Sequence, residues 1–302
     1  MTRQPFAVPA ATAIRPCSIL PEGRSDEPIS SEQRHHPQTP PPRCRRCARC
    51  RRHGRAGSSR QRLCRAGSAA AATGTLYIAS DSTAQTYSSG YHPQAGWGQK
   101  LSSYFTSRIT VANRAIGGRS SRSFIEQGRL AAIHAVIRPG DHLFVQFGHN
   151  DATVGNAERY TPPADYKEYL RNDYIRATRA LGATPVVVTP VSRRSYNAST
   201  GKFNVSFPAY VDAAKAVARE ENAALVDLSA ASRSYLDGIG VEASKGVFLW
   251  LDAGQYPNFP GGVQDNTHFQ ERGAVEMARL VSRSVAGLGL PISGEVVPTA
   301  AR

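Results

Sequence analysis

The sequence predicts an α/β fold: a three-layer αβα sandwich built on a mainly parallel, five-stranded sheet. From residue 75 onward, short apolar runs alternate with longer amphipathic stretches, which is the pattern of strands joined by crossover helices. The apolar runs are continuous rather than alternating, as expected of parallel strands that helices bury on both faces. Right-handed crossovers then give one doubly wound domain.

We predict a strand at each apolar run and a helix at each amphipathic stretch. The strands are expected over residues 75–79, 109–113, 142–147, 185–189 and 223–228. The helices are expected over about 97–107, 121–137, 164–181 and 207–222, with a last one at 270–286. In the second helix, Leu130, Ile133 and Ile137 fall on one face, which suits packing on a sheet.

Residues 1–73 differ in composition from the domain that follows, and we expect them to form a disordered leader rich in Arg, Pro and Cys. Residues 1–74 carry 14 of the 37 basic residues but only 4 of the 23 acidic ones, so the net charge of +14 mostly describes this segment. The five cysteines also lie here, at positions 17, 44, 47, 50 and 64. We expect the folded domain over 74–288 and a loose tail over 289–302.

Several interpretations of the leader remain open. Cys44, Cys47 and Cys50 could bind a metal ion, although zinc sites usually pair two ligand couples around a foldable core. The arginine run at 43–52 could bind nucleic acid through its phosphates. Residues 66–72 resemble the small-residue end of a secretory signal peptide, so the segment before them could be a misassigned start or wrong-frame sequence.

Polar residues and glycines follow the predicted strands at their carboxyl ends, where open α/β sheets keep their ligand crevices. Ser82 follows the first strand, Gly118 the second and Asn150 the third. Asp265 and His268 come just before the last helix. We therefore expect these five residues to converge at one edge of the sheet.

These residue types suit the hydrolysis of an ester. The Ser82 hydroxyl needs a base to take its proton, and His268 can do so, with Asp265 holding the ring in the useful tautomer. The backbone N–H groups of Ser82 and Gly118 and the amide of Asn150 are candidate oxyanion donors. We expect Gly118 to matter because its missing Cβ lets substrate approach the backbone. An isolated Ser in such a turn usually caps a helix, so the prediction depends on the whole set.

The same motifs resemble the four sequence blocks of the SGNH (GDSL-like) hydrolases, in the same order and over about residues 75–287. More narrowly, they are similar to those of rhamnogalacturonan acetylesterases. This narrower similarity rests on six short motifs: Asp81-Ser-Thr-Ala84, Gly96-Trp-Gly98, Asn113 with Gly118-Arg-Ser120, Arg122-Ser123, Gly148-His-Asn-Asp151 and Asp265-Asn-Thr-His-Phe269. One departure is Ser80, which stands where such proteins usually have a glycine before Asp-Ser.

The resemblance implies a flavodoxin-like αβα sandwich and removal of acetyl groups from the backbone sugars of pectin. It implies Ser82 as nucleophile, Asp265 as orienting carboxylate and His268 as base. It also implies Gly118 and Asn150 as oxyanion donors. His149 is a rival base, but its position beside Asn150 favours a packing or loop-orienting role.

Arg119, Arg122 and Trp97 are candidates for substrate contact. The two arginines could meet a galacturonate carboxylate, and they could equally be solvated helix residues. Trp97, like Tyr91, could stack on a sugar ring or belong to the core. We expect an acetylated polysaccharide as substrate, no cofactor or metal, no nucleic acid bound by the domain, no membrane and a monomer.

Two N-glycosylation sequons, at Asn197 and Asn204, favour secretion only mildly because either can arise by chance. Two alternatives to a pectin acetylesterase remain. One is another SGNH esterase, such as an acetylxylan esterase or a lipid hydrolase. The other is a nucleic-acid-binding or metal-binding protein that works through the leader.

Overall fold

The computed structural model describes residues 73–298, so the predicted leader with its cysteine and arginine motifs, apart from residue 73, lies outside the described residues. The strands are β1 (Gly74–Ser80), β2 (Gln94–Ala95), β3 (Ile109–Asn113), β4 (His142–Gln146), β5 (Thr184–Val188), β6 (Tyr196–Asn197), β7 (Lys202–Phe203), β8 (Ala224–Val226), β9 (Phe248–Leu251) and β10 (Val263–Gln270). The α-helices are α1 (Trp97–Lys100), α2 (Ser121–Glu126), α3 (Arg129–His134), α4 (Pro163–Tyr169), α5 (Ala177–Ala180), α6 (Pro208–Glu220), α7 (Leu228–Ala243) and α8 (Glu271–Ala286).

Five strands form one all-parallel sheet in the order β3-β1-β4-β5-β8, which confirms the predicted sheet. Ile78 of β1 pairs with Asn113 of β3 on one side and with Phe144 of β4 on the other. The chain therefore moves outward from β1 to β3 and then returns across β1 to β4. This reversal opens a crevice beyond the carboxyl ends of β1 and β4, where ligands of such folds bind.

Two apolar cores lie on opposite faces of this sheet. Alternate residues of β1 point to opposite sides, so Leu76 and Ile78 join one core while Tyr77 and Ala79 join the other. Helices α1, α7 and α8 supply residues to the first core, and α2, α3, α4 and α6 supply the second. The predicted three-layer sandwich is thereby confirmed.

Three features differ from the sequence-based expectations. Gly128, with φ of 69°, divides the second expected helix into α2 and α3. A second sheet of order β2-β10-β9 was not predicted, nor was α7. The described part of the expected loose tail, residues 289–298, packs on the domain. It contains a 3₁₀ helix at Pro291–Glu295, in which Ile292 is fully buried and the Glu295 carbonyl accepts from the Thr106 N–H at 2.8 Å.

Within residues 73–298, no helix is both long enough and apolar enough to cross a membrane.

Candidate active site

Ser82 lies in a tight turn directly beyond β1. The turn is built by Asp81, whose Oδ1 accepts hydrogen bonds from the Thr83 N–H at 2.9 Å and from the Thr83 hydroxyl at 2.7 Å. The Ala84 N–H closes the turn on the Asp81 carbonyl at 3.2 Å. Small polar residues favour this local bonding over continuation of the strand. The Ser82 side chain is therefore presented at the crevice edge of the sheet.

His268 joins Ser82 to Asp265. Its Nε2 lies 2.9 Å from the Ser82 Oγ, and its Nδ1 lies 2.6 Å from the Asp265 Oδ2. In a regular strand, residues three apart point to opposite faces. The pairing register of β10 with β9 shifts between Gln264 and Phe269, and this irregularity brings the two side chains together.

The Asp265 carboxylate is held by its own loop. Its Oδ1 accepts from the backbone N–H groups of Thr267 at 2.6 Å and His268 at 3.1 Å, while Oδ2 faces the imidazole. Burial raises the pKa of Asp265, but the hydrogen bond and charge of His268 and the two N–H donors outweigh it and lower the pKa to about 2. Asp265 is therefore ionised at neutral pH.

Gly118 lies in the loop after β3 with φ of 76°, a backbone conformation that residues other than glycine rarely adopt. A Cβ built at Gly118 would meet no atom within 4 Å, so the position needs glycine for its backbone angle rather than for space. The free site does not test the expectation that the missing Cβ lets substrate approach the backbone, and this expectation stays a prediction. Space is short at the neighbouring Gly117, where a Cβ would lie 2.9 Å from Gln85 Oε1.

Asn150 is held on both sides of its amide. Its Nδ2 donates to the Arg119 carbonyl at 3.0 Å, and its Oδ1 accepts from the Arg159 Nη1 at 3.0 Å. The amide nitrogen carries a second hydrogen that neither contact uses. Sequence patterns did not reveal Arg159, because it lies in an irregular loop nine residues after Asn150.

Asp151 ties the loop after β4 to the start of α2. One carboxylate oxygen accepts from the Ser121 N–H at 3.0 Å, and the other accepts from the Gly148 N–H at 2.9 Å. Burial raises the pKa of Asp151 to about 6, with the Ser121 and Gly148 hydrogen bonds opposing it. The Gly117 N–H also donates to Gln85 Oε1 in the segment after β1, and Asn150 donates to the Arg119 carbonyl, so hydrogen bonds link the three loops.

The polar groups of the three candidate substrate residues all make contacts within the protein. Arg119 donates to the Gly117 carbonyl at 2.7 Å, and Arg122 pairs with Glu126 at 3.0 Å. Trp97 is fully buried and donates its indole N–H to Gln146 at 3.0 Å. Sugar stacking by Trp97 is therefore excluded, and Trp97 belongs to the core.

A model of the GDSL-like lipase/acylhydrolase family matches residues 81–274, a range that begins at the Ser82 turn and extends past His268. The chain belongs to this family of GDSL-like hydrolases, whose members cleave carboxylic esters.

Among proteins of known name, the chain is 45% identical over 223 residues to the probable rhamnogalacturonan acetylesterase YesY of Bacillus subtilis, covering 74% of this chain and 97% of YesY. It is 39% identical over 222 residues to the rhamnogalacturonan acetylesterase RhgT of the same organism, covering 74% and 94%. The crystal structure of protein YxiM from B. subtilis superposes with a TM-score of 0.61 at 33% identity, over 70% of this chain and 56% of YxiM.

Replacing Gly118 by alanine should destabilise the protein by about 1–2 kcal/mol, because the cost is that of a positive φ and not of a clash. Urea denaturation measures the change in the free energy of unfolding. Gly155→Ala is the matched control, since Gly155 also has open space around it but no positive φ. Equal effects of the two substitutions would contradict this account of Gly118.

Asp265→Asn should alter the pH dependence of stability. The folded-state pKa of about 2 lies below the ordinary value of about 3.9, so the ionised carboxylate contributes stability above pH 4 that is lost as the pH falls through 2. The wild type should therefore lose more unfolding free energy than the variant between pH 4 and pH 2, by about 1 kcal/mol once solvent screening of this partly exposed pair is included. Unfolding free energies measured across that range test this, and parallel curves would contradict it.

Proposed function

We propose that the chain is a serine esterase that removes acetyl groups from the pectic polysaccharide rhamnogalacturonan through an acyl-enzyme. The observation that carries the proposal is the continuous hydrogen-bonded chain from Ser82 through His268 to Asp265. The substrate class is supported by YesY and RhgT, both named as rhamnogalacturonan acetylesterases or probable ones.

In the proposed reaction, the Ser82 Oγ attacks the acetyl carbonyl carbon while His268 Nε2 takes the hydroxyl proton. Asp265 stabilises the imidazolium and fixes which ring nitrogen faces Ser82. The new oxyanion is received by the N–H groups of Ser82 and Gly118 and by the free hydrogen of the Asn150 amide. When the tetrahedral intermediate collapses, the ester C–O bond breaks and His268 returns the proton to the sugar oxygen.

The second half of the reaction uses the same groups. Water attacks the acetyl-Ser82 carbonyl while His268 takes one of its protons. The oxyanion forms again in the same place, and its collapse breaks the bond to Ser82 Oγ. The proton then passes from His268 to the serine, and acetate leaves.

Arg193 supports an acidic polysaccharide as substrate. Four other arginines near the site, at positions 119, 122, 159 and 194, donate to the protein's own acceptors. Arg193 is exposed, and its side chain has no hydrogen bond or ion pair with the described residues. Its backbone is fixed by the Ser206 hydroxyl at 2.9 Å, and the next residue donates to the Asn266 carbonyl at 2.8 Å. We infer that Arg193 binds a galacturonate carboxylate.

An aromatic pair beside the nucleophile supports a sugar substrate. The Tyr87 hydroxyl donates to the Ser82 carbonyl at 2.9 Å, and the Tyr91 ring lies 5.6 Å from the Tyr87 ring. Tyr91 is 53% exposed. Tyr91 is thus connected to the nucleophile through Tyr87, and its exposed ring offers a flat apolar surface to a neighbouring sugar.

We further propose that the protein is a secreted monomer. Asn204 is exposed, and its sequon directly follows the β6–β7 hairpin. The leader-based alternatives concern residues outside the described range.

Ser82→Ala should leave the fold intact and lower kcat for p-nitrophenyl acetate by about 10³-fold or more, because the attacking oxygen is gone. The thermal unfolding midpoint shows whether the fold is kept. Ser103→Ala, an exposed serine in the 3₁₀ turn Leu101–Tyr104, is the control and should keep wild-type turnover. Turnover retained in the Ser82 variant would refute the nucleophile assignment.

Arg193→Gln should raise KM for acetylated rhamnogalacturonan about 10-fold, which corresponds to loss of one hydrogen bond to a charged group. Turnover of acetylated xylan and p-nitrophenyl acetate should stay unchanged, since neither carries a carboxylate for the arginine. Arg219→Gln, at an exposed position in the last turn of α6, is the control. Equal losses on all three substrates, or none, would rule out carboxylate recognition by Arg193.

A further inference from the structure

A buried imidazole–carboxylate pair lies beneath the nucleophile, and the reaction described above does not use it. His149 Nδ1 is 3.6 Å from Asp81 Oδ2, and the two side chains are 6% and 0% exposed. Among the described residues, neither ring nitrogen of His149 nor Asp81 Oδ2 has a hydrogen-bond partner. Buried polar atoms are normally satisfied, so this pair calls for an explanation.

The other carboxylate oxygen of Asp81, Oδ1, is held by hydrogen bonds that lead into the core. Thr83, which donates to Asp81 Oδ1, accepts from the Gln146 amide at 2.7 Å, and Gln146 in turn accepts from the Trp97 indole at 3.0 Å. A chain of buried hydrogen bonds thus runs from the core to the underside of the Ser82 turn. It leaves Asp81 Oδ2 facing His149 as its nearest ionisable neighbour.

Two residues with positive φ, Phe207 and Gly148, adjoin His149. Phe207 packs edge-on against it, with ring centroids 4.8 Å apart, and Phe207 itself has φ of 55°. Gly148 has φ of 129°, and a Cβ there would lie 2.6 Å from the Pro190 ring. A non-glycine residue at positive φ, such as Phe207, persists where its surroundings fix it, and such residues gather at functional sites.

We propose that His149 is a positioning residue. Its Nδ1–H, directed at Asp81 Oδ2, fixes the position of the Ser82 turn relative to Asn150. Asp81 immediately precedes Ser82, and His149 immediately precedes Asn150. One contact therefore couples the loops that provide two of the three proposed oxyanion donors. The inference rests on the proposed function, because it assigns a purpose to the spacing of those donors.

The charges around the ring agree with a neutral imidazole donor. Burial lowers the pKa of His149; the carboxylate of Asp81 opposes this, whereas the nearby charges of Arg193 and His268 add to it. The backbone of Val191 also faces the ring and favours its protonated form weakly. A neutral ring in contact with a carboxylate donates one N–H and leaves its second nitrogen unprotonated.

The test compares His149→Leu, which removes the donor at similar volume, with His149→Asn, whose amide nitrogen can take the place of Nδ1. Turnover of p-nitrophenyl acetate is measured, because this ester needs no polysaccharide contact. We expect His149→Leu to lower kcat about 10- to 100-fold with KM within about 2-fold, and His149→Asn to restore most of kcat.

His142→Leu is the control for a purely structural effect. His142 is also buried with an unpaired ring nitrogen, but it lies at the opposite end of β4 from the site. The His142→Leu substitution should lower the thermal unfolding midpoint without lowering kcat. If His149→Leu does not fold, His149→Met replaces it, since it also removes the donor, and the same loss of kcat at constant KM is expected.

The proposal is overturned by three results: unchanged kcat in His149→Leu or its substitute His149→Met, equal loss in the leucine and asparagine variants, or a change confined to KM. Failure of the proposed function looks different. In that case the wild type would show no turnover of the ester, or Ser82→Ala would retain it.

Discussion

The contact between His268 and Ser82 is the interaction on which the rest of the site depends. The two residues are 186 positions apart, and only the complete sheet and the irregular β10 strand bring them to 2.9 Å. Asp265 fixes the imidazole from its other side at 2.6 Å. Without the register shift in β10, Asp265 and His268 would point to opposite faces of the strand, and the contact between them would be lost.

Around this contact, the loops beyond β1, β3 and β4 hold one another in place. The Gly117 N–H donates to Gln85 Oε1, Asn150 donates to the Arg119 carbonyl, and Asp151 accepts from the start of α2. Each contact uses the backbone of a neighbouring loop, so the candidate donors keep their spacing before any ligand arrives. Donors fixed in advance reorganise little as charge develops, and this is the main source of their effect on a transition state.

Most of the fold could be predicted from the sequence, because continuous apolar runs identify buried parallel strands almost directly. Helix α7 was missed since its buried face includes Ser229 and Ser232, which give no apolar stripe. Strand β10 was missed because its sequence is polar and only Phe269 is buried. The candidate site residues were predicted from motifs at strand ends. Contacts that depend on side-chain direction, such as Arg159 on Asn150 and the burial of Trp97, required the three-dimensional structure.

The central claim is that this geometry makes the Ser82 oxygen a nucleophile, and trapping the covalent intermediate tests it most directly. The protein would be mixed with p-nitrophenyl acetate, quenched in acid within milliseconds, digested and examined by mass spectrometry. The account predicts a peptide containing Ser82 that is heavier by one acetyl group and is absent from the His268→Ala variant. Acetate release in the steady state with no acetylated Ser82 at any quench time, or acetylation of a different residue, would contradict it.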